Sequence, residues 1–243
     1  MLAKSLLFAL LVTLVVAKIP PYIKVCGRRN PDLDGCVRRS VESLRGKLRE
    51  GIPELNVPTL EPLELKGFPL AESDSLRAYA EHVKVWGLTN FELKEFHDDL
   101  VKNQLLIKAV FKKLELDADY DIEAKILVPF KGKGPIHIVS HDSVADVVMS
   151  YKFATKNGVR YVYFSAMTIK LSINDFEAHF KSADGIESAI STAINSALKE
   201  GRQEILEIAR PTLEKVISET ILELGNKICK SFTYDELHPD TTE

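Results

Sequence analysis

The sequence predicts an α+β protein in which a long, curved antiparallel β-sheet wraps one long C-terminal α-helix. Three observations carry this. Leu116, Ala118, Tyr120, Ile122, Ala124, Ile126 and Val128 alternate with charged residues across Leu114–Val128, a period-2 pattern about 15 residues long. Two further alternating stretches, Val139–Phe153 and Tyr161–Ile173, flank Asn157-Gly158, the residue pair that supplies the positive φ angles of a tight hairpin. From Asp184 to Phe232 the apolar residues change to helical spacing.

The elements follow in chain order. Lys4, the nearly unbroken apolar run Leu6–Val16 and the small residues Val15 and Ala17 read as a secretory signal peptide over residues 1–17. That run is shorter than the ~20 residues a membrane-spanning helix needs. Residues 18–243 are then expected to form a single domain. Cys26 and Cys36 lie close together, and in an oxidising compartment they should form a disulfide. Cys229 is left over beside an apolar helical stripe, where a buried free thiol is expected.

Leu33, Val37, Val41, Leu44 and Leu48 recur at helical spacing, which predicts a helix over Asp34–Arg49 ended by Gly51. Arg38, Arg39, Arg45, Lys47 and Arg49 read as its solvated face. Pro53, Pro58 and Pro62 then favour extended chain. The alternating strands of the middle are each apolar on one face, as in an antiparallel meander. Lys131-Gly-Lys-Gly-Pro135 is expected to be the turn before the second long strand.

A stripe including Ile186, Ile190, Ile194, Leu198, Ile205, Ile217, Ile221 and Ile228 would cover the sheet's apolar face. A helix of nearly 50 residues is about 70 Å long. A compact globule of this chain length is only about 45 Å across. The protein is therefore expected to be elongated, with the helix bent at Gly201, Pro211 or Gly225; two helices joined near Gly201 or Pro211 are the alternative.

The Cys26–Cys36 pair, the helix after it, the stretch Glu50-Gly-Ile-Pro-Glu-Leu-Asn-Val-Pro-Thr-Leu-Glu-Pro-Leu63 and a long C-terminal helix running into Phe232-Thr-Tyr-Asp-Glu-Leu-His-Pro239 together resemble the insect takeout and juvenile hormone-binding protein family. The resemblance spans the whole chain after the signal peptide. It implies that the sheet and helix enclose a hydrophobic tunnel, and that the protein is a secreted carrier of a small hydrophobic ligand: a terpenoid, a juvenile hormone-like molecule or a fatty acyl compound. The hormone-binding branch generally carries a second disulfide. With only Cys229 remaining, this chain resembles the takeout branch more closely.

The residues expected to line the tunnel are Trp86, Tyr120, Met149, Tyr151, Ile190, Ile194 and Leu198. The other reading is a secreted lipid-surface or protein-interaction module on the same fold without stable cargo. No enzyme activity is expected. There is no G-x-S-x-G elbow, no phosphate-cradling glycine loop, no H-E-x-x-H and no paired-cysteine zinc pattern. His137 and His141 lie four apart but lack further metal ligands, and His82, His97 and His179 show no partner in the sequence. No metal or cofactor is expected. With 32 basic and 35 acidic residues the formal net charge is −3. That balance argues against a nucleic-acid partner, which usually demands a basic face. A monomer with a hydrophobic small molecule as its partner is expected.

Overall fold

A computed structural model describes residues 19–243 except 73, 75, 125–129 and 183–188, with side chains at 124, 130, 189–191, 193, 194 and 197–200 also left out. Residues 1–17, expected from the sequence to be a signal peptide, lie outside the described residues. Helices α1 (Leu33–Ser43) and α2 (Arg45–Glu50) are followed by strands β1 (Leu63–Leu65), β2 (Phe68–Glu72), β3 (Leu76–Trp86), β4 (Phe91–Asp99), β5 (Gln104–Ala124), β6 (Phe130–Lys156), β7 (Val159–Ser172) and β8 (Asp175–Phe180). Helices α3 (Ala189–Cys229) and α4 (Tyr234–Leu237) complete the chain. The predicted α+β class is what the chain adopts: one open, eight-stranded antiparallel sheet with a long C-terminal helix.

Two very long strands organise the sheet. β5 and β6 pair in one register from Gln104↔Ser150 to Ala124↔Phe130. β4 and β7 flank the half that begins at Gln104, and β3 and β8 flank the other half. Across this span the inward face changes phase. Leu105, Ile107 and Phe111 point inward with Ala145, Val147 and Met149 in the first half. Leu116, Ala118, Tyr120 and Ile122 point inward with Ile136 and Ile138 in the second. The switch falls at the exposed pair Lys112–Lys113 and at Asp142, whose φ is 47°. This is why the alternation in the sequence begins cleanly only at Leu114, although the strand begins at Gln104.

The expected turn at Lys131–Pro135 is a strand instead. Gly132 pairs with Ile122 and Gly134 with Tyr120. A Cβ on Gly134 would stand 2.2 Å from the carbonyl oxygen of Lys181, so glycine serves a close backbone approach there rather than a turn. Asn157 and Gly158 do form a hairpin turn, with φ of 52° and 78°. The predicted helix over Asp34–Arg49 is two helices, which meet at Leu44 with φ −88° and ψ −4°. Within the proline segment, Pro53–Leu55 forms one 3-10 turn rather than extended chain, and Pro at the start of such a turn is preorganised for it.

Helix α3 spans 41 residues, about 60 Å at 1.5 Å per residue, as two helical stretches that meet at a kink, the arrangement given as the alternative. It bends at Gly201, whose φ and ψ are −104° and 21°. Pro211 lies within the second stretch. Gly225 is not a bend: a Cβ there would sit 3.0 Å from the Phe164 ring, so its hydrogen lets the helix approach β7. The helix is tied to sheet edges by polar side chains. Asn226 bonds both backbone groups of Phe164, Glu214 accepts from Leu171 N, and Asn195 bonds both backbone groups of Phe180.

Beyond α3 the chain folds under the helix end. Phe232, almost wholly buried, packs against Ile52, Leu55 and Val57 of the Gly-Ile-Pro-Glu-Leu-Asn-Val segment. Gly51 takes φ 86° with Thr59 N close behind it, which fixes that segment's entry. Thr233 and Glu236 form a reciprocal capping box that starts α4. The Cys26–Cys36 disulfide is formed and Cys229 is a buried free thiol.

Candidate functional site

The inner face of the sheet is the candidate site. Alternation on paired strands gathers the inward apolar side chains into successive clusters, and those of the half that begins at Gln104 meet Ile217, Leu222 and Cys229 of α3. Tyr120 belongs to the half flanked by β3 and β8. Its ring meets Phe180 edge-on at 4.8 Å, and its hydroxyl donates to Lys181 O at 2.9 Å. Burial pushes that phenol's pKa up. Around it stand Ala80, Val83, Ala118 and Ile136.

Met149 and Tyr151 lie in the other half. Met149 packs with Ala145, Val147 and Ile169, against Ile217 and Leu222 of α3. Tyr151 packs with Val162, Cys229 and Tyr234 at the far end of that helix. Tyr120 is paired with Gly134, so Met149 lies fifteen residues further along β6, roughly 50 Å of extended chain. The predicted lining residues are thus strung along one face rather than gathered at one point.

Trp86 falls differently. A bulge in β3, marked by His82 at φ 51° and a register shift between Glu81 and Lys84, sets Val83 and Val85 inward. Trp86 follows Val85 and therefore takes the opposite face, paired with Glu115. The backbones of Ile190, Ile194 and Leu198 run in α3, but their side chains lie outside the described residues.

One polar group on the inner side had no signal in the sequence. Asp98 of β4 is 6% exposed, and its carboxylate accepts from Tyr151 Oη at 3.1 Å. Its backbone N–H donates to Asp34 Oδ1 of α1, while Asp34 Oδ2 faces His97 Nδ1 at 2.8 Å. Burial drives the Asp98 pKa up to about 6, against the Tyr151 hydrogen bond that lowers it. Burial, then the Asp98 charge, pushes the Tyr151 phenol up as well. The Asp34 partner raises the pKa of exposed His97. Nothing in the sequence spacing joins residues 34, 98 and 151; only the packing of α1 on β4, with the pairing of β4 with β5 and β5 with β6, does.

Four of the six histidines have acidic neighbours that the sequence did not reveal. His82 meets Asp119, His97 meets Asp34 and His137 meets Asp117 within 3 Å, while Glu177 lies 3.9 Å from His179. Among the described residues no cluster of three or more His, Cys, Asp or Glu could hold a metal ion. An open cleft of about 940 Å³ lies elsewhere, between Glu50–Thr59 and Lys227, Lys230 and Ser231. None of the predicted lining residues borders it.

The geometry available is therefore a long apolar face under a long helix, with a few buried hydroxyls. Such a surface can bind an apolar molecule and offers it isolated hydrogen bonds. Residues 5–239 match the family described as haemolymph juvenile hormone binding protein (JHBP). The chain belongs to the JHBP family. A relative named "Putative beta-carotene-binding protein", from Schistocerca gregaria, is 22% identical over 232 residues, covering 90% of this chain and 89% of that one. The crystal structure of Takeout 1 from Epiphyas postvittana superposes with a TM-score of 0.75 at 17% identity, over 89% of this chain and all of that one. This JHBP-family chain therefore shares the takeout fold, as its sequence resemblance implied. Among its described residues no helix is long and apolar enough to cross a membrane.

Proposed function

We propose that this protein is a secreted carrier that holds a small hydrophobic ligand in an apolar tunnel between the sheet and α3. The observation that carries this reading is the apolar inner face in each half of β5 and β6, on either side of the phase change at Lys112–Lys113. Membership of a family described by hormone binding, and a relative named for binding a carotenoid, support it. The signal-peptide pattern of residues 1–17 supports secretion, with residues 18–243 as one ligand-binding domain.

Apolar burial supplies enough free energy for such a role. A fifteen-carbon terpenoid at ~0.8 kcal/mol per buried carbon gains up to roughly 12 kcal/mol. Lost freedom on binding removes several kcal/mol of this, which leaves micromolar to nanomolar affinity. Tyr120, Met149 and Tyr151, with Ile190, Ile194 and Leu198 of α3, are the proposed lining. Trp86, on the opposite face, is left out of it. The ligand class proposed is a terpenoid, a juvenile hormone-like molecule or a fatty acyl compound.

The test is to purify the protein from the medium of secreting cells, extract it with organic solvent and analyse the extract by mass spectrometry. A carrier yields a hydrophobic molecule in near-stoichiometric amount. An empty extract, together with no saturable binding of a fluorescent fatty acid, would refute the proposal.

A further inference from the structure

We infer that the outward face of the β6–β7 hairpin docks this protein on an anionic lipid bilayer. The hairpin overhangs the sheet. β5 begins opposite Ser150, but β6 continues to Lys156 before turning at Asn157-Gly158. Its two faces differ sharply. Tyr151, Phe153, Val162 and Phe164 share the inner face, where Phe153 stacks edge-on against Tyr234 of α4. Arg160 is held on that side, over the Phe153 and Tyr234 rings and 3.8 Å from Asp235.

Among the described residues nothing covers the opposite face. The register places Lys152 beside Tyr163, Ala154 beside Tyr161 and Lys156 beside Val159. Tyr163 is 41% exposed and Val159 40%. Further down the same outward surface the cross-strand pair Leu106 and Val148 is also exposed. Both lysines are exposed, and no carboxylate pairs with either among the described residues.

Charge selects the partner. The chain as a whole carries −3, yet the hairpin residues 150–166 hold Lys152 and Lys156 on the outward face, Arg160 on the inner one, and no Asp or Glu. A negative surface therefore attracts this hairpin and repels much of the remaining molecule, which fixes the orientation. Tyrosine settles at a membrane interface with its ring in the acyl boundary and its hydroxyl in water. Lysine lays its aliphatic stem along the same boundary while its ammonium reaches the headgroups. A lysine near an anionic leaflet contributes about five-fold in affinity. For a protein that carries an apolar cargo, such a contact would set the end of the molecule beside Tyr151 and Tyr234 against the lipid.

The experiment is co-flotation of the full protein with phosphatidylcholine vesicles, with and without one third phosphatidylserine, at low and high salt. The expected result is flotation only with the anionic vesicles, weakened by salt. Lys152→Glu with Lys156→Glu should reduce it by roughly 30-fold or more. Tyr163→Ser should reduce it at constant charge, and Lys215→Glu on α3 should leave it intact. Binding of a fluorescent fatty acid, measured in parallel, should be unchanged in every variant. That reading keeps loss of docking distinct from unfolding and from failure of the carrier proposal. Equal flotation with neutral vesicles, no flotation of the parent protein, or full flotation of the double lysine variant would overturn the inference. So would a solution dimer that the double variant dissolves, since the face would then belong to a second copy.

Discussion

The side-chain amide of Asn226 closes the open edge of β7 on Phe164. Asn226 Oδ1 accepts from Phe164 N at 2.8 Å, and Asn226 Nδ2 donates to Phe164 O at 2.9 Å. Asn195 does the same on β8, with 3.0 and 3.2 Å bonds to Phe180. One helix thus completes the hydrogen bonding of two edge strands at points roughly 45 Å apart along its length.

Removing either amide leaves a partly buried backbone pair unsatisfied. Asn226→Ala and Asn195→Ala should each cost about 1–3 kcal/mol in a denaturant melt. Asn226→Asp should cost more than Asn226→Ala, because it sets a carboxylate against the Phe164 carbonyl. Changes within error of zero would show that the helix is held by apolar contacts alone.

Asp98 makes stability depend on pH in an unusual direction for a carboxylate. Its folded pKa is about 6 against an ordinary value of 3.8. The folded state therefore binds the proton more tightly, so stability is lost as pH rises through 6. Asp98→Asn keeps an acceptor for Tyr151 and removes the buried charge. It should stabilise the protein by about 1–3 kcal/mol at pH 7.5, with the gain shrinking to nothing near pH 4. Melts at the two pH values check this. A variant less stable than the parent at pH 7.5 would mean that the carboxylate is better solvated or better paired than the hydrogen bonds indicate.

Cys229 is buried, and burial pushes its thiol up to about 11. Native protein should react slowly with a thiol reagent at pH 8. One thiol should appear on denaturation without reductant, and three after reduction. Fast native labelling, or three thiols without reductant, would contradict the disulfide assignment.

Ile194 tests the helix side of the proposed tunnel. If it lines a hollow, Ile194→Trp should leave the melt nearly unchanged and weaken long ligands far more than short ones. In a filled core the same change overpacks, at a typical cost of about 1–3 kcal/mol. A destabilised variant with unaltered ligand preference would remove Ile194 from the lining.

Much of this architecture was readable because long strands and a long helix imprint long periods. The alternation from Leu116 to Ile122 and the turn at Asn157-Gly158 both describe real elements. The misreadings have physical causes. Lys131–Pro135 has turn composition, but Gly134 admits a neighbouring backbone, which no local pattern records. Phase changes at Lys112–Lys113 and His82 hid the start of β5 and turned Trp86 outward. The Asp34–Asp98–Tyr151 contacts and the two asparagine brackets join residues far apart in the chain, so only the assembled sheet reveals them.

The tunnel proposed between the sheet and α3 has a finite length, which a chain-length series of ligands measures. Unbranched fatty acids of increasing length are titrated against a bound fluorescent probe. A tunnel predicts affinity rising by about four-fold per added methylene, near 0.8 kcal/mol each, up to a sharp limit beyond which longer chains gain nothing or bind more weakly. Absence of saturable binding, or affinity that rises without a limit as micelles form, would contradict an enclosed tunnel.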